Sequence, residues 1–334
     1  MKFLVLIVNR CLWFFPTVLG LLVLTFTISH MIPADPIAAA AGENATAAQI
    51  AELRAKFGLD QPVPVQLYRY ILLVLQGDFG VSLYTQRPII EDISTRLPAT
   101  LELTFVAVLV AAVVGIPLGV LSAINRNSPV DHVLRLVTVS GLAIAAFWFA
   151  ILLQLLFAMQ LGWTPLQGRV DGWGPDPVTG FFLVDSLLAG DLETFGDVVA
   201  HMILPVATLA YPAMATIVRF TRAGVLEAIN SSYVMYEEAM GFPRRIIVWK
   251  YVLRNALIGT VTQIGLIFGI LIANGVVVEA VFDWPGLGLY AVSSILQSDY
   301  NGIMAFTIIA GVIFIVVNLL VDITHALIDP RESR

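Results

Sequence analysis

Six nearly uninterrupted apolar stretches divide the chain, at about 11–31, 101–124, 133–158, 200–220, 256–279 and 303–325. Each reaches roughly the 20 residues that a helix needs to cross ~30 Å of hydrocarbon. Helix is the spanning form this pattern allows, because every backbone polar group in lipid must be paired within its own segment. The pattern predicts an all-α membrane protein with six transmembrane helices. The run from Cys11 to Ile32 exceeds the 7–15 residue apolar core of a cleaved signal peptide and reads as a retained first span. The polar residues between spans one and two predict a small external layer. Within it a helix runs from Thr46 to Phe57 and stops at Gly58, Pro62 and Pro64 interrupt the chain, and an interfacial amphipathic helix runs from Val65 to Leu75.

Charge orients the spans. The loop at 219–255 carries Arg219, Arg222, Arg244, Arg245, Lys250 and Arg254. The loop at 159–199 carries a single basic residue, Arg169, against six acids, and the loop at 280–302 carries no basic residue. Cytoplasmic loops of membrane proteins are enriched in Lys and Arg. The basic loop, the turn with Arg126 and the tail with Arg331 and Arg334 are therefore expected inside, with both termini cytoplasmic. The segment at 32–100 holds five basic residues, but long segments cross largely regardless of charge.

Composition narrows the function. The 334 residues are 58% hydrophobic and 13% charged, with a net charge of -6. No basic patch is large enough to neutralise a run of phosphates, which excludes nucleic-acid binding. The one cysteine, Cys11, allows no disulfide within the chain, and His30, His132, His201 and His325 are scattered with no two at ligand spacing. No metal site and no cofactor are expected. There is no H-E-x-x-H, G-x-S-x-G or P-loop lysine motif, so the chain reads as non-catalytic. Energy for any pumping must come from a partner or an ion gradient.

Small residues at helix-packing spacing, Gly115 with Gly119 and Gly265 with Gly269, predict close approach of helices within the chain in preference to a dimer contact. Polar residues inside spans are costly and therefore informative: Gln154, Gln263, Asn274, Glu279, Asn318 and Asp322. Two readings stand for Asn274 and Glu279. They line a translocation path together with Gln263, or Glu279 ends its span at the headgroups while Asn274 caps a neighbour. Glu102 is expected at the membrane interface.

The stretch Tyr233-Val-Met-Tyr-Glu-Glu-Ala-Met-Gly241, followed by Phe242-Pro-Arg-Arg and ending in Leu253-Arg-Asn-Ala256, resembles the coupling (EAA) loop of ABC-importer permeases. Glu279-Ala-Val-Phe-Asp-Trp-Pro-Gly-Leu-Gly288 is similar to the E-x-x-F-x-x-P-G-x-G segment of dipeptide, oligopeptide and nickel permeases. Phe57-Gly-Leu-Asp-Gln-Pro62, Gly77-Asp-Phe-Gly-Val-Ser82 and Arg96-Leu-Pro-Ala-Thr-Leu-Glu-Leu103 extend the likeness over most of the chain. The triplet that names the loop is relaxed here to Met235, Tyr236 and Glu237, and Tyr251 replaces a common His.

The resemblance implies a type I ABC-importer permease fold. A cytoplasmic start and first helix would occupy 1–32, an external segment 33–96, a five-helix permease domain 97–327 with the coupling loop at about 224–255, and a tail 328–334. It implies an ATP-driven importer of di/oligopeptides or similar small solutes, in which this chain forms half of the path. The partners would be a second, related permease, two cytoplasmic ATPases and an extracytoplasmic substrate-binding protein, assembled in the inner membrane. Glu237, Glu238, Ala239, Met240, Gly241, Phe242, Arg244 and Arg245 would couple to the ATPase. Phospholipid headgroups are a second reading for the arginines. Trp284, Pro285 and Gly286 would face the binding protein. A gradient-driven secondary transporter is the alternative, and it needs charged groups or broken helices at the midplane.

Overall fold

The computed structural model describes residues 2–31 and 60–328, with Thr46, Ala48, Gln49, Ala51 and Ala55 between them. Among these, regular structure is helical apart from one antiparallel bridge between Val81 and Pro88. In chain order the helices are α1 (Lys2–Met31), α2 (Val63–Leu75), α3 (Ile89–Ile124), α4 (Pro129–Ala143), α5 (Ala146–Leu153, continued by a π-helical turn Gln154–Gln160) and α6 (Phe182–Ala189). They are followed by α7 (Leu192–Ala228), α8 (Ser232–Ala239), α9 (Arg244–Ile246), a π-helical turn Ile247–Val252, α10 (Leu253–Val281), α11 (Leu287–Leu296) and α12 (Tyr300–Ile328).

The centre is α3 against α7, with α10 packed on both. Ala99, Leu103, Ala107 and Ala111 form a buried stripe on α3 at four-residue spacing, and Gly115 and Gly119 continue it. A β-carbon at Gly119 would meet the Thr221 side chain and the Val218 carbonyl, and one at Gly115 would meet Ile217. Gly265 and Gly269 likewise leave room for Val321 and Phe314 of α12. Both pairs therefore serve packing within the chain, as expected from their spacing. α12 rests on α10, and α1 on α12.

Among the described residues, four helical stretches are long and apolar enough to cross a membrane: α3, α7, the continuous Arg244–Val281 and Tyr300–Val321 of α12. The expected third span is not one straight helix. α4 and α5 pass the same test together but bend by 106°, because Ile144 and Ala145 take extended dihedrals that interrupt the hydrogen-bond ladder. The described apolar part of α1, Phe15–Ile28, is shorter than a span.

The segment between α1 and α3 is partly described. Thr46 and Gln49 form a reciprocal capping box; of the rest of the expected helix to Phe57, Ala48, Ala51 and Ala55 are described and helical, and the other residues lie outside the described ones. Pro64 does not interrupt the chain but sits in the first turn of α2, where its missing N–H would have no partner anyway. The Gly77–Ser82 motif docks the layer on the bundle. Gly77 and Gly80 supply left-handed backbone, the Gly80 amide donates to Asp78, Phe79 is buried, and the buried Ser82 hydroxyl donates to Asp299.

Candidate functional site: an exposed knuckle and a buried clasp

At one end of α7 the chain turns through α8, Gly241 and α9. α8 closes with a Schellman motif: the Gly241 amide donates to the Glu238 carbonyl (3.0 Å) and the Phe242 amide to Glu237 (3.2 Å). Gly241 takes φ +78°, a region that a β-carbon disfavours. Pro243 then sets the chain for α9. Val234, Ile247, Val248 and Val252 anchor the knuckle on Val120, Ala123 and Val225. Its crest faces outward: Tyr236, Glu238, Ala239, Met240, Gly241, Phe242, Arg244, Arg245 and Ile246 are all exposed. Glu237 is half-buried. Arg244 and Arg245 open the long helix to Val281, at the dipole end where cations are disfavoured, so helix stability does not explain them. The π-helical turn at Ile247–Val252 marks the join between knuckle and span, and such turns recur at functional sites.

At the other end, Glu279 is fully buried. Its carboxylate accepts from the Thr100 hydroxyl (2.7 Å), the Gly288 amide (2.6 Å) and the Leu289 amide (3.2 Å). It thus caps the N-terminus of α11, where a negative charge is favoured. The Thr100 hydroxyl also accepts from the Leu287 amide (2.7 Å). A β-carbon at Gly286 would strike Glu279 and Thr100, and one at Gly288 would strike Val276, so this fold requires both glycines. Trp284 is buried and its indole N–H donates to the Ala99 carbonyl (3.0 Å). The Arg169 guanidinium lies 3.6 Å over the Phe182 ring and 5.7 Å over Trp284. It pairs with Glu102 and donates to the Gly180 carbonyl, while the Glu102 carboxylate accepts from the Leu183 amide at the start of α6. One connected polar clasp therefore joins α3, α6, α10, α11 and the 161–181 loop.

Several expectations change. Glu279 is taken up entirely by protein donors, so it does not face an open path. Trp284 and Gly286 are buried, and of that trio Pro285 alone is exposed. Glu102 is buried inside the protein and paired with Arg169. Asn274 is exposed on α10 and Gln263 half-buried. Gln154 turns to the loops, donating to the Leu166 and Val281 carbonyls. The side chain of Asp322 lies outside the described residues. Arg169 and Thr100 escaped the sequence reading because each finds its partner far along the chain. The only hint was the lone Arg in an acidic loop. Asp171, Asp197 and His201 also converge, with ligand atoms within 4.8 Å of one another, a set that spacing among histidines could not reveal.

These features are those of a membrane permease built to be driven by other chains. Residues 115–334 match the binding-protein-dependent transport system inner membrane components, and residues 2–104 match the N-terminal region of such components. The chain belongs to this family, as a non-catalytic, multi-pass inner-membrane permease subunit of an ABC importer. It is 42% identical to the probable D,D-dipeptide transport system permease protein DdpB of Escherichia coli K12, over 98% of this chain and 96% of that protein. It is 38% identical to the dipeptide transport system permease protein DppB of the same organism, over 95% of each. It is 37% identical to the glutathione transport system permease protein GsiC of Pectobacterium atrosepticum, over 97% of each.

Proposed function

We propose that the chain forms half of the translocation path of an importer for di- or oligopeptides, paired with a second, related permease. Six spans place both termini in the cytoplasm, two ATPases sit below, and a substrate-binding protein docks above. The observation that carries the reading is the knuckle: a Gly241 turn whose crest exposes Met240, Phe242, Arg244 and Arg245 at the end of a helix continuous with a span. An apolar and cationic crest fits a cleft with an acidic rim on the ATPase. The peptide cargo rests on the named relatives.

The path itself runs along the face of α10 that this chain leaves uncovered. Ile270, Ala273, Asn274 and Val277 lie there at helical spacing, all exposed, and Asn274 is its polar member, with Gln263 about three turns further toward the knuckle. Pro285 and Asp283, both exposed, are the points at which the binding protein would meet the clasp. A gradient-driven mechanism is not favoured: the broken span and the buried Arg169–Glu102 pair would suit it, but the relatives are permeases of ABC importers, and Glu279 already accepts from three donors.

The test is coupling. The permease pair and its ATPases are reconstituted with binding protein in vesicles, and ATP hydrolysis and dipeptide uptake are measured together. Gly241→Asp is expected to leave the complex in the membrane but abolish uptake driven by hydrolysis, because it disturbs the turn and sets a negative charge on the exposed crest. Uptake at the level of the unmodified chain would sink the proposal.

A further inference from the structure

His201 lies on α7, 27 residues before the helix ends at Ala228, or ~40 Å from the knuckle at ~1.5 Å per residue. Its side chain is 1% exposed. The Nδ1 atom is 2.9 Å from the carbonyl oxygen of Asp197, one turn earlier. A carbonyl can only accept, so Nδ1 carries the proton, and a neutral ring then presents its lone pair at Nε2. Holding an imidazole by a carbonyl at one nitrogen is the usual way of aiming the other at a metal.

Nε2 faces Asp171 Oδ1 at 3.5 Å. That gap is wide for a charge-assisted hydrogen bond, which settles near ~2.7–2.9 Å. It matches the edge of a tetrahedron, about 3.4 Å, whose nitrogen and oxygen ligands sit at ~2.0–2.2 Å from a central ion. Asp197 completes the set. Its Oδ2 accepts from the Asp171 amide (2.6 Å), which brings the loop over the helix, and its Oδ1 lies 3.2 Å from Nδ1, with ligand atoms of all three residues within 4.8 Å of one another. The Asp171 side chain is 88% exposed, so the cluster is closed beneath by the buried imidazole and open to solvent above.

We propose that Asp171, Asp197 and His201 bind a divalent transition-metal cation of the zinc class, with solvent completing its coordination. One imidazole with two carboxylates suits zinc and its neighbours, whereas calcium takes six to eight oxygens. The bound ion pins the loop between α5 and α6 to the head of α7. Arg169, two residues before Asp171, sits in the clasp with Trp284, so the ion also stiffens the outer surface of the permease. The inference stands on this geometry alone and is independent of the cargo.

The full chain, carrying a tag without histidines, is stripped with chelator in detergent and titrated with zinc. Bound metal is counted by mass spectrometry, and the thermal midpoint is followed in parallel. One equivalent per chain, with a midpoint raised by zinc and not by calcium, is the expected result. Asp171→Asn is the first variant, since its exposed side chain supports no packing. It should weaken zinc binding by at least roughly the 10–100-fold that even a lost outer-shell partner costs, and His201→Gln should weaken it further. Zinc binding that is absent in the unmodified chain, or unchanged in Asp171→Asn, overturns the assignment.

Discussion

Glu279 accepts from one hydroxyl and two backbone amides supplied by two other segments. Removing its carboxylate strands three buried donors. Glu279→Ala should therefore destabilise by at least about 1–3 kcal/mol, the penalty of an orphaned buried polar group. Glu279→Gln, which keeps an acceptor, should recover part of it. Thermal unfolding in detergent reads both, and an unchanged midpoint for the Ala variant would remove the clasp from the account. Asp185 does a similar task outside the spans. Burial alone would raise its carboxyl, but the Thr179 hydroxyl and the amides of Thr179, Gly180 and Val178 more than offset this and leave it below its ordinary value. A carboxyl depressed by folding stabilises above its unfolded value, near ~3.9, and loses that stabilisation as pH falls through the folded value. Protection of the Val178–Gly180 amides from hydrogen exchange, relative to their intrinsic rates, should hold down to about pH 4 and fall below it. Asp185→Asn should exchange faster at neutral pH and lose this acid dependence.

At the scale of elements, α3 and α7 approach closely because Gly115 and Gly119 lack side chains where Ile217 and Thr221 sit. Gly119→Leu should destabilise by about 1–3 kcal/mol through overpacking. Gly20→Leu, at a glycine with nothing within 4 Å, is the control and should fold as before. Equal yields and midpoints for the two variants would show that the glycine stripe does not set the helix contact. This stripe could be read from spacing, because i and i+4 share a helix face whatever surrounds them. The break at Ile144–Ala145 could not. Neither residue is Pro or Gly, and hydropathy counts apolar residues without regard to direction.

For the whole molecule, the knuckle and the clasp lie at opposite ends of the long helices α7 and Arg244–Val281. Under the proposed coupling, a push at Gly241 would travel along this helix toward Glu279 and α11. A cysteine replacing Met240, exposed on the crest, should crosslink to an ATPase subunit in the assembled complex and be protected from membrane-impermeant reagents added outside. Labelling from the outside alone would reverse the proposed orientation.

The sequence by itself determined the class of protein, since apolar length, basic-loop asymmetry and the Gly241 and Glu279–Gly288 motifs are local properties readable from residue order. It also located the Gly241 turn and its exposed crest, because a Schellman turn needs residues only a few positions apart. Tertiary structure alone decided what the buried polar groups do. Glu279 meets Thr100 across 179 residues and Arg169 meets Glu102 across 67, while Asp171 reaches His201 through a loop without regular structure. A buried charge must find its partner in space, and no spacing along the chain records which one it finds.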